Sequence, residues 1–212
     1  TSSNNGSFVL MYHGTIIERN GIIVALEAIA KVRQSIPGVS FEVYGEGDFV
    51  DRFIQRIYQL NLQDIVHFHG HVPADKIVDA IESADLGLIP NKASLHWDLA
   101  FPTRMLEYIC LGKPVIVPRT QGIMDYFYED SLYFSTPGCA EDLARKILDV
   151  YTNPEECRAK QKLSHSIYKT LCWDQQKHHL ITLVSSLMRG NECQINLEVH
   201  EQETPSHKES GI

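Results

Sequence analysis

An α/β fold is predicted, a doubly wound parallel sheet of about six strands flanked by helices, on three observations. Short β-branched or aliphatic runs alternate with longer segments of helical periodicity, the pattern of right-handed βαβ units. Glycine and proline punctuate the joints between them. The first five strand runs are apolar enough to lie between two helical layers.

Residues 8–13 (FVLMYH) read as the first strand, and Gly21 opens a helix that runs to about Gln34, where Pro37 and Gly38 end it. The second strand is 40–44. Gly45, Glu46 and Gly47 follow it, a weak likeness to a dinucleotide fingerprint because the third glycine is missing and Asp48 is expected to open the next helix instead. A third strand at 66–69 leads to a helix with Pro73 in its first turn. The fourth strand, 86–90, precedes a loop over 91–102. Pro102 and Thr103 look like a helix start, and strands at 114–117 and 132–134 complete the sheet. Three helical segments follow, at about 141–151, 154–170 and 173–188, the second opened by Asn153 and Pro154. Gly190 breaks the pattern. Residues 191–212 hold five Glu against one Lys and few aliphatics, so they are expected to stay disordered as an acidic tail. Residues 1–7, polar and rich in Ser and Asn, read as a linker, which leaves 8–190 as the folded domain and suggests a piece of something longer.

With 212 residues and a formal net charge of −8, the chain suits one soluble domain and lacks the cationic clusters that hold nucleic acid. Its five cysteines are odd in number and in no spacing that implies zinc, redox chemistry or a disulfide framework, which fits a cytoplasmic setting. No run approaches the roughly 20 apolar residues of a membrane span.

Ligands of an open doubly wound sheet bind beyond the carboxyl ends of the strands, where strand order reverses. That rule singles out the loops at His13, Gly14 and Thr15; at Gly45, Glu46 and Gly47; at Gly70, His71 and Val72; at 91–102; and at Pro118, Arg119 and Thr120. Each glycine is also a plain turn residue, so the case rests on several loops agreeing. The helix from Thr103 offers free amides to a diphosphate, and Glu107, one turn on, is placed to accept hydrogen bonds from ribose hydroxyls. The bland alternative is a solvated Glu107, or one paired with Arg104. His67, His69 and His71 alternate along one strand end, but side chains nearly 7 Å apart per step converge poorly on one ion, so no metal site is expected. His96, Trp97 and Asp98 are candidates for a sugar pocket or an ordinary surface loop.

The ordered motifs Gly14…Arg19…Gly21, VYGEG (43–47), FHGHV (68–72), ADL (84–86), PTRMLEY (102–108) and GKPV (112–115) resemble the C-terminal domain of family 4 retaining glycosyltransferases, from about residue 8 to 188. The resemblance implies a Rossmann-like domain that is one half of a GT-B fold and binds a nucleotide diphosphate sugar without a required metal or other cofactor. By it, Glu107 matches the second Glu of the family's E-x7-E motif and binds the ribose. The Thr103 and Arg104 amides hold the pyrophosphate, the Gly70 to Val72 loop meets the base, and Gly14 lets the first loop approach the phosphates. It also implies a partner absent from this sequence, an N-terminal GT-B domain that supplies the acceptor site, in an enzyme that acts in the cytoplasm or at a membrane surface.

Three positions depart from the family pattern. Leu99 stands where the first Glu of the motif is expected, with Asp98 beside it. Thr15 and Asn20 occupy the places of a basic pair, and Arg19 or Arg104 is the candidate to supply the lost charge. The leading function is therefore hexose transfer with retention to a hydroxyl acceptor, by an enzyme that needs its other domain. The alternatives are a non-catalytic nucleotide-sugar-binding or partner subunit, and a GT-B-like epimerase half. A signalling receiver is disfavoured, because no acidic cluster follows the first strand.

Overall fold

The computed structural model describes residues 7–188, and the expected acidic tail at 191–212 lies outside them. The chain divides after Leu171 into two compact units. In the first, the strands are β1 (Phe8–His13), β2 (Val39–Tyr44), β3 (Val66–Gly70), β4 (Leu86–Leu88), β5 (Val115–Pro118) and β6 (Tyr133–Ser135). The helices are α1 (Ile22–Val32), α2 (Val50–Gln59), α3 (Ala74–Ser83), α4 (Leu95–Leu99), α5 (Arg104–Cys110), α6 (Gln121–Met124), α7 (Ala140–Thr152) and α8 (Pro154–Leu171). The second unit contains α9 (Trp173–Met188), whose first amides, from Gln175 and Gln176, both donate to the Cys172 carbonyl at 3.1 Å.

All six strands run parallel in the order β3-β2-β1-β4-β5-β6. Strand order reverses at β1, so the crevice between β1 and β4 is the topological switch point. Because strand side chains alternate between faces, Leu10 and Tyr12 enter one core layer with α1, α2 and α7, while Met11 enters the other with α3 and α5. Gly87 of β4 makes room for Tyr108 of α5, which is fully buried and donates its hydroxyl to the Met11 carbonyl at 3.2 Å.

Three details differ from the sequence reading. β2 and β3 are deeply buried on one face only: Phe41, Val43 and Val66 are buried, whereas on the other face Glu42 and Tyr44 are half-buried, Tyr44 packing against the layer of α3 and α5, and His67 and His69 of β3 are exposed. The reason is that β3 is an edge strand and α3 packs back over β1. Helix α2 begins at Val50 with Phe49 as its cap, not at Asp48, because the Phe49 amide is drawn onto the Ile16 carbonyl at 3.1 Å. The loop 91–102 holds α4, capped by Ser94, whose hydroxyl accepts from the Trp97 amide at 3.2 Å.

Candidate functional site

Three strand-end loops are laced together at the switch point. The Gly14 amide donates to the Tyr44 carbonyl (3.0 Å), the Ile16 amide to Glu46 (2.8 Å), and the Gly45 amide to Gly70 (2.8 Å). Such close approach requires glycine at 45: its φ is +139°, and a Cβ there would fall 2.0 Å from the Gly14 carbonyl oxygen. The lacing forms one wall of a cleft of about 930 Å³ that His13, Gly14, Thr15, Tyr44, Gly45 and Val72 line. A smaller cleft of about 330 Å³ continues from Gly14 and Thr15 to Arg19, Trp97, Thr103 and Arg104.

Arg104 stands where the two clefts meet. Its Nη2 donates to Asn91 Oδ1 at 2.7 Å and its Nη1 to the Tyr12 hydroxyl at 3.2 Å, with the His13 carbonyl 3.5 Å away. The guanidinium also lies over the Tyr12 ring, 4.9 Å from its centroid. Every one of these partners is neutral, and among the described residues Arg104 has no ion pair. Tyr12 passes the order on: its hydroxyl donates to the Thr15 carbonyl at 2.9 Å, which also receives Asn20 Nδ2 at 2.7 Å. Asn20 is buried, so at a place where the resemblance expects a lysine this chain has an internal brace for the loop.

Glu107 does not pair with Arg104. Its half-exposed carboxylate lies 3.6 Å from Nε2 of His13, a residue only 7% exposed. Burial, reinforced by the Arg104 cation, pushes the His13 imidazole down to about 4. At neutral pH it is uncharged, and the contact with Glu107 is a dipole beside a carboxylate and not an ion pair. Burial raises the Glu107 carboxyl, against the pull of Arg104.

Of the residues singled out by sequence, Gly14, Thr15, Gly45 and Val72 line the larger cleft, and Arg19, Thr103 and Arg104 line the smaller. Gly70 and Glu107 do not themselves line either cleft; Gly70 braces Gly45, and the half-exposed Glu107 adjoins His13, which lines the larger one. Leu99 is 75% exposed and Asp98 is exposed, so no carboxylate joins Trp97 in the smaller cleft. His69 gives Nε2 to Glu42 at 2.7 Å and stacks on Tyr44 at 4.4 Å, and no group of three or more His, Cys, Asp or Glu among the described residues is placed to hold a metal. Sequence reasoning missed Tyr12, Asn91 and Tyr44 as site residues, and noticed His13 only as a residue of the first strand-end loop. Position at a strand end was the one available indication for His13 and Tyr44; nothing local marks Tyr12 or Asn91 as the holders of Arg104.

The sequence matches the family described as Glycosyl transferases group 1 over residues 1–166. WcaL of Escherichia coli (strain K12) is 25% identical over 158 residues, 71% of this chain and 39% of that protein. The amylovoran biosynthesis glycosyltransferase AmsK of Erwinia amylovora is 26% identical over 63% of this chain and 33% of its own. The chain thus spans about two-fifths or less of the length of these relatives. Among solved structures, Anabaena Alr3699/HepE in complex with UDP superposes with a TM-score of 0.75 at 22% identity, covering 85% of this chain and 49% of that one. At that identity the likeness shows the fold alone, a parallel α/β sheet flanked by helices that matches about half of that chain.

Proposed function

The chain belongs to the glycosyl transferases group 1 family, and from that premise we propose that it is the donor-binding half of a retaining glycosyltransferase, which moves a hexose from a nucleotide diphosphate sugar to a hydroxyl acceptor. The observation that carries the reading is Arg104, a guanidinium held by neutral partners, without an ion pair among the described residues, where the two clefts meet. A cation fixed in a partly desolvated wall favours an anion beside it. A diphosphate there leaves the larger cleft to the nucleoside, with Val72 and the Gly70 loop toward the base and Glu107 toward the ribose. The hexose then occupies the smaller cleft beside Trp97.

As the bond from the anomeric carbon to the diphosphate oxygen breaks, negative charge gathers on the leaving group. Arg104, the Thr103 and Arg104 amides at the open end of α5, and Arg19 at the rim stabilise that charge where it develops. The acceptor hydroxyl and its acid/base groups belong to an N-terminal domain, in keeping with HepE, of which this chain covers about half (49%) and which was crystallised with UDP and with UDP-glucose. Cys110, Cys139 and Cys157 form no disulfide, which suits a cytoplasmic setting. No helix among the described residues is long and apolar enough to cross a membrane.

One feature favours a second reading. With no carboxylate in the wall of the smaller cleft, the chain also suits a non-catalytic subunit that binds nucleotide sugar and completes an enzyme by association. Calorimetric titration of the 212-residue chain with UDP, GDP, ADP and their hexose conjugates, with and without a chelator, tests both. Saturable, chelator-indifferent binding to one base is expected. Absence of binding to all of them by a folded chain would remove the donor-binding role from this chain by itself. Transfer activity on adding a separate N-terminal domain distinguishes the enzyme from the binding subunit.

A further inference from the structure

His13 Nε2 is a buried polar atom without a hydrogen-bond partner, in a side chain nine-tenths enclosed that lines the larger cleft. A buried donor left unmade is costly, and native structures hold few of them. The carboxylate facing it, Glu107 Oε2, is 3.6 Å away, just beyond hydrogen-bond reach. The two partners differ in freedom. His13 is pinned: its ring packs on Tyr108 with centroids 5.1 Å apart, and Arg104 Nη1 sits 3.5 Å from its carbonyl. Glu107 is half exposed and free to turn.

We propose that His13 is the positioning residue for Glu107, a fixed Nε2–H donor against which the carboxylate turns when a ribose enters the larger cleft. A carboxylate only accepts, so it selects the tautomer with the proton on Nε2. One Glu107 oxygen is then held by the imidazole, and the other is presented to the vicinal ribose hydroxyls. Without the imidazole the carboxylate samples solvent-facing rotamers and must be ordered by the ligand itself. The inference rests on the donor-binding reading, and concerns which residue makes the ribose contact selective.

The test compares UDP, GDP and ADP with their 2′,3′-dideoxy analogues by calorimetry, in the full chain and in His13→Phe, His13→Gln and Glu107→Gln. The wild type is expected to prefer the ribonucleotide by about tenfold or more, the scale of a hydrogen bond to a charged group. His13→Phe, which keeps a ring against Tyr108, should lose most of that preference, read as the ratio of ribonucleotide to dideoxy affinity within the variant, and His13→Gln should restore part of it. Glu107→Gln combined with His13→Phe should lose no more than either alone. A wild type that binds no nucleoside diphosphate overturns the underlying reading. A ribose preference in the wild type that His13→Phe retains undiminished overturns the role of His13 alone. Should His13→Phe fail to fold, the wild type still decides: the 15N resonance of His13 Nε2 shifts with the ribonucleotide and not with the dideoxy analogue, and equal shifts with both defeat the proposal.

Discussion

The Arg104 guanidinium lies across the α-carbon of Gly14: a Cβ built on Gly14 would fall 2.6 Å from Arg104 Nη1, and the Gly14 backbone has a φ of +130°. The bare glycine and the position of the cation are therefore one feature. Gly14→Ala strains the backbone and evicts the guanidinium from Tyr12 and Asn91, so binding of a nucleoside diphosphate should weaken by roughly 1–3 kcal/mol, the range for overpacking a fitted site. Calorimetry against the wild type reads this, and unaltered affinity would detach Gly14 from the anion.

Replacing Arg104 separates charge from geometry. Lysine keeps the charge but has no planar fork to span the Tyr12 hydroxyl and Asn91 Oδ1 together. Arg104→Lys is expected to retain part of the diphosphate affinity and Arg104→Ala almost none. The salt dependence of binding should be shallower in Arg104→Ala, because a cation–anion contact is the most screened part of the interaction. Equal losses in the two variants would show that the guanidinium acts through packing and not through its charge.

The sheet was legible because its strands are apolar runs between helical segments, and of the residues in the loops at their ends Gly14, Gly45 and Val72 line the larger cleft. The exposed face of β3 was not legible, because which helix lies over which strand is settled by packing of distant segments. Arg104 was suspected for its amide at the helix start and for its charge. Its holders Tyr12 and Asn91 lie 92 and 13 residues away, and no local pattern announces such contacts. Asn20 looked like a lost lysine until its buried amide was seen to brace the Thr15 carbonyl.

Gly87 tests the core beneath the site. A Cβ there would come within 2.6 Å of the Tyr108 ring, which is fully buried and cannot retreat without breaking its bond to the Met11 carbonyl. Gly87→Ala should destabilise the domain by about 1–3 kcal/mol and reduce nucleotide affinity indirectly, since Tyr108 carries the His13 ring. Urea unfolding measures the first effect. A midpoint equal to that of the wild type would mean that β4 and α5 part more easily than their packing indicates.

His13 should also govern the acid stability of the domain. Its imidazole titrates near 6.5 when unfolded and at about 4 when folded, through burial first and the Arg104 cation second. Between those values the unfolded chain holds more protons than the native one, so stability rises with pH across the window and falls as acid is added. A shift of this size corresponds to about 3 kcal/mol lost between pH 7 and pH 4. Glu107 acts in the opposite sense, since its raised carboxyl favours the folded state as pH falls, but its half-exposed charge is screened and its contribution is the smaller. Urea midpoints measured from pH 4 to pH 7 should therefore climb with pH in the wild type and flatten in His13→Phe, which has no proton to gain. A wild-type slope that survives the substitution unchanged would place the acid sensitivity elsewhere and leave His13 titrating as an ordinary exposed imidazole.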